Sequence, residues 1–216
     1  MSRRFLGLTL AVLALSISAL GQSNKLEAIG AYGESPASDA LKNVLEPKGS
    51  RISIGDEPYC EIWLRDRLPA GKTDAQGVVY PSMGESVLIG VIKFVKATTD
   101  FRGQAIKPGT YTLRYALHPA DGNHLGISPN RDFLALVPVE MDSNPDAQPK
   151  FEELMKMSAK VAGTNHPGVI SLVSAQDGTA PKLDQEGTHV IFSTKVKSQS
   201  GANLPIAFIV KGIAEQ

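Results

Sequence analysis

Hydrophobic positions along residues 22–216 recur mainly with a period of two. In the stretch from Tyr59 to Arg65, Cys60, Ile62 and Leu64 share one apolar face, while Tyr59, Glu61, Trp63 and Arg65 fall on the other. Arg51–Gly55 and Tyr59–Asp66 are therefore read as strands. Ser86–Ala97 is apolar on both faces, with Val87, Ile89, Val91 and Val95 on one and Leu88, Ile92 and Phe94 on the other. Such a run predicts a strand covered from both sides. Alternation is cleanest after Pro108-Gly109, where Tyr111, Leu113, Tyr115 and Leu117 alternate with Thr110, Thr112, Arg114 and Ala116. Pro-Gly suits the centre of a type II turn before that strand. Asp132–Met141, Thr188–Ser198 and Leu204–Gly212 complete the predicted strands.

One segment follows the helical period instead. Phe151, Leu154, Met155, Ser158, Val161 and Ala162 recur at i, i+3, i+4 and i+7. Glu152 and Glu153 favour its N-terminal dipole, Lys156 and Lys160 lie nearer its C-terminus, and Gly163 is its natural stop. A short helix is also compatible with residues 37–45. Short strands with one amphipathic helix at about 150–162 predict a mainly β protein, an antiparallel β-sandwich or jelly roll. With no internal repeat, residues 22–216 are read as one domain that opens with an N-terminal arm reaching to about residue 50.

The N-terminus follows a different logic. Arg3 and Arg4 precede an apolar run from Phe5 to Leu20, and Ala19-Leu20-Gly21 offers small residues for cleavage. This is the order of a secretory signal peptide over residues 1–21. The apolar run is shorter than the ~20 residues that span a bilayer, so no membrane-spanning segment is expected in the mature chain, and the location is expected to be periplasmic or extracellular. Lys+Arg and Asp+Glu both number 22, and the leader removes two of the basic residues. That balance argues against a nucleic-acid partner and leaves a cell-envelope protein or a saccharide as the expected partner class. The single cysteine, Cys60, lies on an apolar strand face, which excludes an internal disulfide and favours burial.

The stretch Ile106-Lys107-Pro108-Gly109-Thr110-Tyr111-Thr112-Leu113 resembles the Pro-Gly-x-Tyr-x-Leu strand start of secreted bacterial β-sandwich domains, among them carboxypeptidase-regulatory-like (transthyretin-like) modules. Pro108 through Asp132, with Gly163-Thr164-Asn165-His166-Pro167, is similar to uncharacterised exported bacterial proteins. The resemblance implies an exported β-sandwich and brings no catalytic residue with it.

Candidate chemistry is sparse. No Gly-x-Ser-x-Gly elbow, phosphate loop, His-Glu-x-x-His pair or calcium loop occurs in the chain, so no catalytic residue is assigned. His118, His124, Asp132 and His166 supply ligand types for a divalent metal, provided their loops meet. Arg131, grouped with Arg114 and Asp132 and next to the His124 loop, can fork onto an anionic or carbonyl ligand or order its own loop. Trp63, with Tyr59 or Tyr80, is a candidate platform for a sugar ring if its indole is open to solvent. The expected function is a non-enzymatic exported binding or structural module. The alternatives are a metal-binding protein or metal-dependent hydrolase built on the loop histidines, and a carbohydrate-binding module built on Trp63.

Overall fold

A computed structural model describes residues 23–120, 130–175 and 180–214. The leader at 1–21 and His124 therefore lie outside the described residues. In chain order the elements are β1 (Lys25–Ile29), α1 (Asp39–Asn43), β2 (Gly49–Ile54), β3 (Glu57–Leu64), β4 (Arg67–Leu68), β5 (Leu88–Phe94), β6 (Thr98–Thr99), β7 (Ala105–Ile106), β8 (Gly109–Leu117), β9 (Asp132–Pro138), a 3-10 turn (Val139–Met141), α2 (Phe151–Ala162), β10 (Val169–Val173), β11 (Lys182–Glu186), β12 (His189–Ser198) and β13 (Asn203–Lys211). No helix among the described residues is long and apolar enough to cross a membrane.

The hydrogen-bonded order β1-β2-β3-β5-β8-β9-β10-β13-β12-β11 folds over on itself as a sandwich-like pair of layers. β10 makes the turn between layers. Its residues Val169–Ser171 pair with β9, and Leu172 and Val173 pair with β13. Every pairing is antiparallel except that of β4 with β12. The space between the layers is filled from both sides, by Ile52, Cys60, Ile62, Phe94, Leu113, Leu134 and Leu136 of one layer and Val190, Phe192, Val196, Ile206 and Phe208 of the other. Cys60 is fully buried there, and burial pushes its thiol up, so it acts as a small apolar filler.

The outer face of the first layer is covered too, which explains why β5 is apolar on both sides. The N-terminal arm and α1 cover Trp63, Leu88 and Val91 through Tyr32, Ala37 and Leu41. α2 lays Leu154 over Phe133, Ala135 and Val137. α1 begins at Ser38, whose hydroxyl accepts from the Leu41 N–H. α2 ends as its sequence predicts, at Gly163 in the left-handed region (φ 67°), with its N–H on the Ala159 carbonyl.

Between these two covers runs residues 142–149, fixed by a buried arginine. Arg114 points outward from β8 and is fully buried. Its Nε and one terminal nitrogen donate to the two oxygens of Asp142 at 2.6 and 2.7 Å. The remaining N–H groups reach the carbonyls of Ser86, Ala147 and Asn144 at 2.6–2.9 Å. Asp142 also accepts from the Thr112 hydroxyl at 2.6 Å. All donor nitrogens of the guanidinium are used, the condition under which a buried charge is tolerated. Arg65 extends the arrangement by donating to the Pro145 carbonyl and the Asp146 carboxylate.

Three sequence expectations change. Gly109 does not sit at a turn centre; it is already the first residue of β8, paired with Phe94. β1, β10 and β11 were not predicted from the sequence. β11 (Lys-Leu-Asp-Gln-Glu) is mostly polar, and β10 follows the helix stop too closely for its short run to stand out. The third change concerns β3. Ile52 pairs with Cys60 and Ser53 with Pro58, so Tyr59 is an extra residue in a bulge. Tyr59 and Cys60 are consequently both buried in the inter-layer core, against strict alternation.

Arg114→Ala leaves Asp142 buried without its partner. We expect a loss of about 3–5 kcal/mol, and a melting temperature lower by roughly 10 °C, in thermal and urea unfolding. Arg114→Lys, with fewer donors and no planar fork, is expected to recover only part of the loss.

Candidate functional site

The strands give the sandwich two ends. At one, which we call the Asp132 end, lie residues 69–87, the ends of the chain flanking 119–130, and the β12–β13 turn. At the other, the Tyr59 end, lie the β2–β3 turn, residues 95–108, residues 163–168, the start of β12 and the end of β13.

The candidate metal ligands among the described residues, His118, Asp132 and His166, are divided between these ends. The His118 N–H donates to the Arg131 carbonyl, at the Asp132 end. His166 is exposed in the turn after α2, two residues before Gly168, which pairs with Leu136. The levels of Arg131 and Leu136 differ by five strand residues, roughly 16 Å at about 3.3 Å per residue. His118 and Asp132 are close in the ladder but face opposite sides of the sheet. The His118 ring stacks on Phe133, with centroids 4.3 Å apart, on the face covered by α2. Asp132 is fully buried and faces inward. It accepts the Val79 and Tyr80 N–H groups at 2.8–3.1 Å and the Tyr115 hydroxyl at 3.2 Å. Among the described residues no three potential ligands converge. Strand parity and the length of β9 thus place His118, Asp132 and His166 apart from one another.

Arg131 turns back onto the backbone. Its Nε donates to the His118 carbonyl at 2.8 Å, clasping the two ends of the segment between them. Trp63 is 4% exposed. Its Nε1 donates to the Gly30 carbonyl at 2.8 Å, and Tyr32 packs edge-on at 4.9 Å. The N-terminal arm thus seals the indole, and Trp63 offers no open stacking platform. Tyr80 is also structural. Its hydroxyl donates to the Val173 carbonyl and accepts the Ala207 N–H, tying the loop at 69–87 to both β10 and β13. Burial pushes its phenol up to about 12, and pushes the Tyr115 phenol up as well, with the Asp132 charge adding to the effect.

Of the sequence-predicted residues, Tyr59 reaches a cavity. The Tyr59 end of the sandwich opens into a cleft of about 960 Å³. Its wall is part apolar (Ile54, Tyr59, Ala97, Ile213) and part hydroxyl-bearing (Thr98, Thr99, Thr188). The bulge at Tyr59 builds this wall by turning the ring inward, where its hydroxyl makes a short hydrogen bond with Thr98. The signal was present in the sequence, since proline inside a strand is confined to edges, first residues and bulges, and Pro58 immediately precedes Tyr59.

Charge in the cleft is distributed unevenly. Asp56 pairs with Lys25 at 2.7 Å, and Glu57 pairs with Lys96. Each carboxyl is held below its usual range by its lysine hydrogen bond. Lys211 has no carboxylate partner among the described residues; its ammonium lies over the Tyr59 ring, 5.9 Å from the centroid. Burial pushes the Tyr59 phenol up to about 12, so it stays neutral at ordinary pH. A neutral phenol and two neutralised carboxylates are poor acid–base machinery. The surplus ammonium, hydroxyl rim and apolar wall suit binding.

The shifted phenol gives a test of this geometry. An unfolded tyrosine ionises near pH 10, below the folded value of about 12. The unfolded state therefore binds fewer protons between those values, and stability falls as pH rises through that window. Urea unfolding across the window should show the fall, and the ultraviolet phenolate band of Tyr59→Phe should lack one late-titrating group. An unchanged late phase in that variant would contradict the buried placement of Tyr59.

Set against known proteins, the chain matches no family model, no curated protein and no solved structure.

Proposed function

We propose that this protein is an exported, non-catalytic binding module whose cleft at the Tyr59 end takes a small ligand with an anionic group on an apolar body. The observation that carries the reading is Lys211. It is the cleft's one lining cation without a carboxylate partner among the described residues, and it sits above an aromatic floor. A carboxylate or similar anion placed there gains a charge-assisted hydrogen bond. Ile54, Ala97 and Ile213 contact its apolar part, and the threonine hydroxyls satisfy further polar atoms. Export is supported by the order of charge, apolar run and small-residue exit in residues 1–21. The near-balanced charge of the chain supports a small-molecule or envelope partner over nucleic acid.

Titration with matched ligands tests this. Benzoate, benzamide and benzylamine share a ring and differ in charge. Benzoate is expected to shift the amide resonances of Thr98, Thr99 and Lys211, with weaker binding at high salt. Lys211→Met should weaken it about tenfold, while Lys211→Arg should retain most of the affinity. Equal binding of the amide, or shifts clustered away from these residues, would overturn the reading.

A further inference from the structure

A second opening lies on the flank of the sandwich, remote from the cleft in chemistry. Here β1–β2 of one layer faces β11–β12 of the other without strand pairing. The edges touch only lightly, with Asn24 Nδ2 donating to Gln185 Oε1 at 3.1 Å. Between them is a cavity of about 410 Å³ that reaches the main core. Its floor is Ile62, Leu64 and Phe192, each no more than 5% exposed, with Leu26 alongside.

The cavity exists because inward positions on facing strands carry small side chains. Register pairs Leu26 with Ile52 and Ala28 with Ser50, so Ala28 and Ser50 point inward with the core residues Leu26 and Ile52. Ala28 is nevertheless exposed. Across the gap, Thr194 shares the inward face of β12 with Phe192 and Val196. An alanine, a serine and a threonine stand where larger residues would close the layers. Protein interiors pack densely, and unfilled space at a core costs stability.

Two polar groups point into this space. Ser50 and Thr194 are 9% and 8% exposed, and neither hydroxyl bonds to another described group. The mouth is acidic on balance, with Glu27 and Glu46 against Lys48. Burial, with repulsion from Asp66, holds the Glu46 carboxyl above the usual carboxylate range. This mouth disfavours an anion, in contrast to the Lys211 cleft.

We infer that the flank cavity is a separate binding site for a small uncharged apolar molecule bearing one hydroxyl or carbonyl group, its body on Ile62, Leu64 and Phe192 and its polar atom on the Ser50 and Thr194 hydroxyls. The cavity lies in the size range of small-molecule sites, which pair an apolar lining with a few placed polar groups.

Cyclohexanol and cyclohexanecarboxylate are the probes, added to the purified protein and followed by amide resonances and thermal melting. Cyclohexanol is expected to shift Ala28, Ser50, Leu64 and Thr194 saturably and to raise the melting temperature. Cyclohexanecarboxylate should leave those four resonances unmoved. Ala28→Phe fills the cavity and should abolish the cyclohexanol shifts. Thr194→Val keeps the shape, removes one hydroxyl, and should weaken binding about fivefold; it decides the matter if Ala28→Phe fails to fold. Lys211→Met should leave cyclohexanol binding unchanged, which separates this site from the cleft. Absence of saturable shifts at the four residues, full affinity in Thr194→Val, or preference for the carboxylate would overturn the inference.

Discussion

A fully buried guanidinium with every donor occupied is the constraint on which the covered face of this sandwich depends. Arg114 leaves β8 on the outer side of the sheet, where an exposed β-sandwich would meet water. Once buried, it must find acceptors for all of its N–H groups. It finds them by drawing in Asp142 and the carbonyls of Ser86, Asn144 and Ala147. That fixes the chain between β9 and α2, and so fixes where α2 begins. The same segment accepts from Arg65, and the Ser38 hydroxyl at the start of α1 donates to the Ser143 carbonyl. One charge thus couples the N-terminal arm, residues 142–149 and α2 into a single cover, and the arm within that cover hides Trp63.

The two ends of the sandwich are finished in different ways. At the Asp132 end a carboxylate gathers backbone N–H groups and a phenol, while Tyr80 ties residues 69–87 to β10 and β13. Met83, Val87 and Tyr80 then fill the space between the layers as part of the core. At the Tyr59 end a buried carboxylate, Asp100, likewise gathers the Arg102 and Gln104 backbone N–H groups, and Ile106 enters the core, but a cleft remains beside Tyr59. Ion pairs line its rim, and Lys211 stands over an aromatic ring. The flank is open because small residues face one another there and the layers do not pair. Two openings with opposite charge preference on one scaffold are compatible with ligands of different classes.

Side-chain period made much of this protein legible from its sequence. Alternation located β2, β3, β5, β8, β9, β12 and β13 to within a few residues, and the helical period with Gly163 located α2. It also set the burial of Cys60 and the double covering of β5, although a register shift at Leu88–Gly90 puts Val91 with Leu88 on the outer face and Ile92 and Phe94 with Ile89 on the inner one, and Val95 is exposed. These follow because a strand or a helix expresses its local period wherever one or both faces are apolar. The candidate site was less legible. Tyr59 was singled out as an aromatic, but alternation put it on the wrong face, since a bulge shifts parity without changing composition. Lys211 carried no local signal, and its role arises from standing beside a ring about 150 residues away in the chain.

Local chemistry along the chain was enough to specify most of the longer elements, the sandwich class and the face on which most apolar residues lie. Tertiary structure alone decided what the polar residues do. His118, Asp132 and His166 are alike in being metal-ligand types, yet strand parity and length send them to an outer stack, an inner hydrogen-bond cluster and an exposed turn. Arg114 and Asp142 are unremarkable in sequence and become the fixed point of the fold only when no water is left to solvate them. Hydrophobic burial is roughly additive along a strand and can be read locally. Satisfaction of a buried charge or hydroxyl depends on partners brought from elsewhere in the chain, which no local pattern encodes.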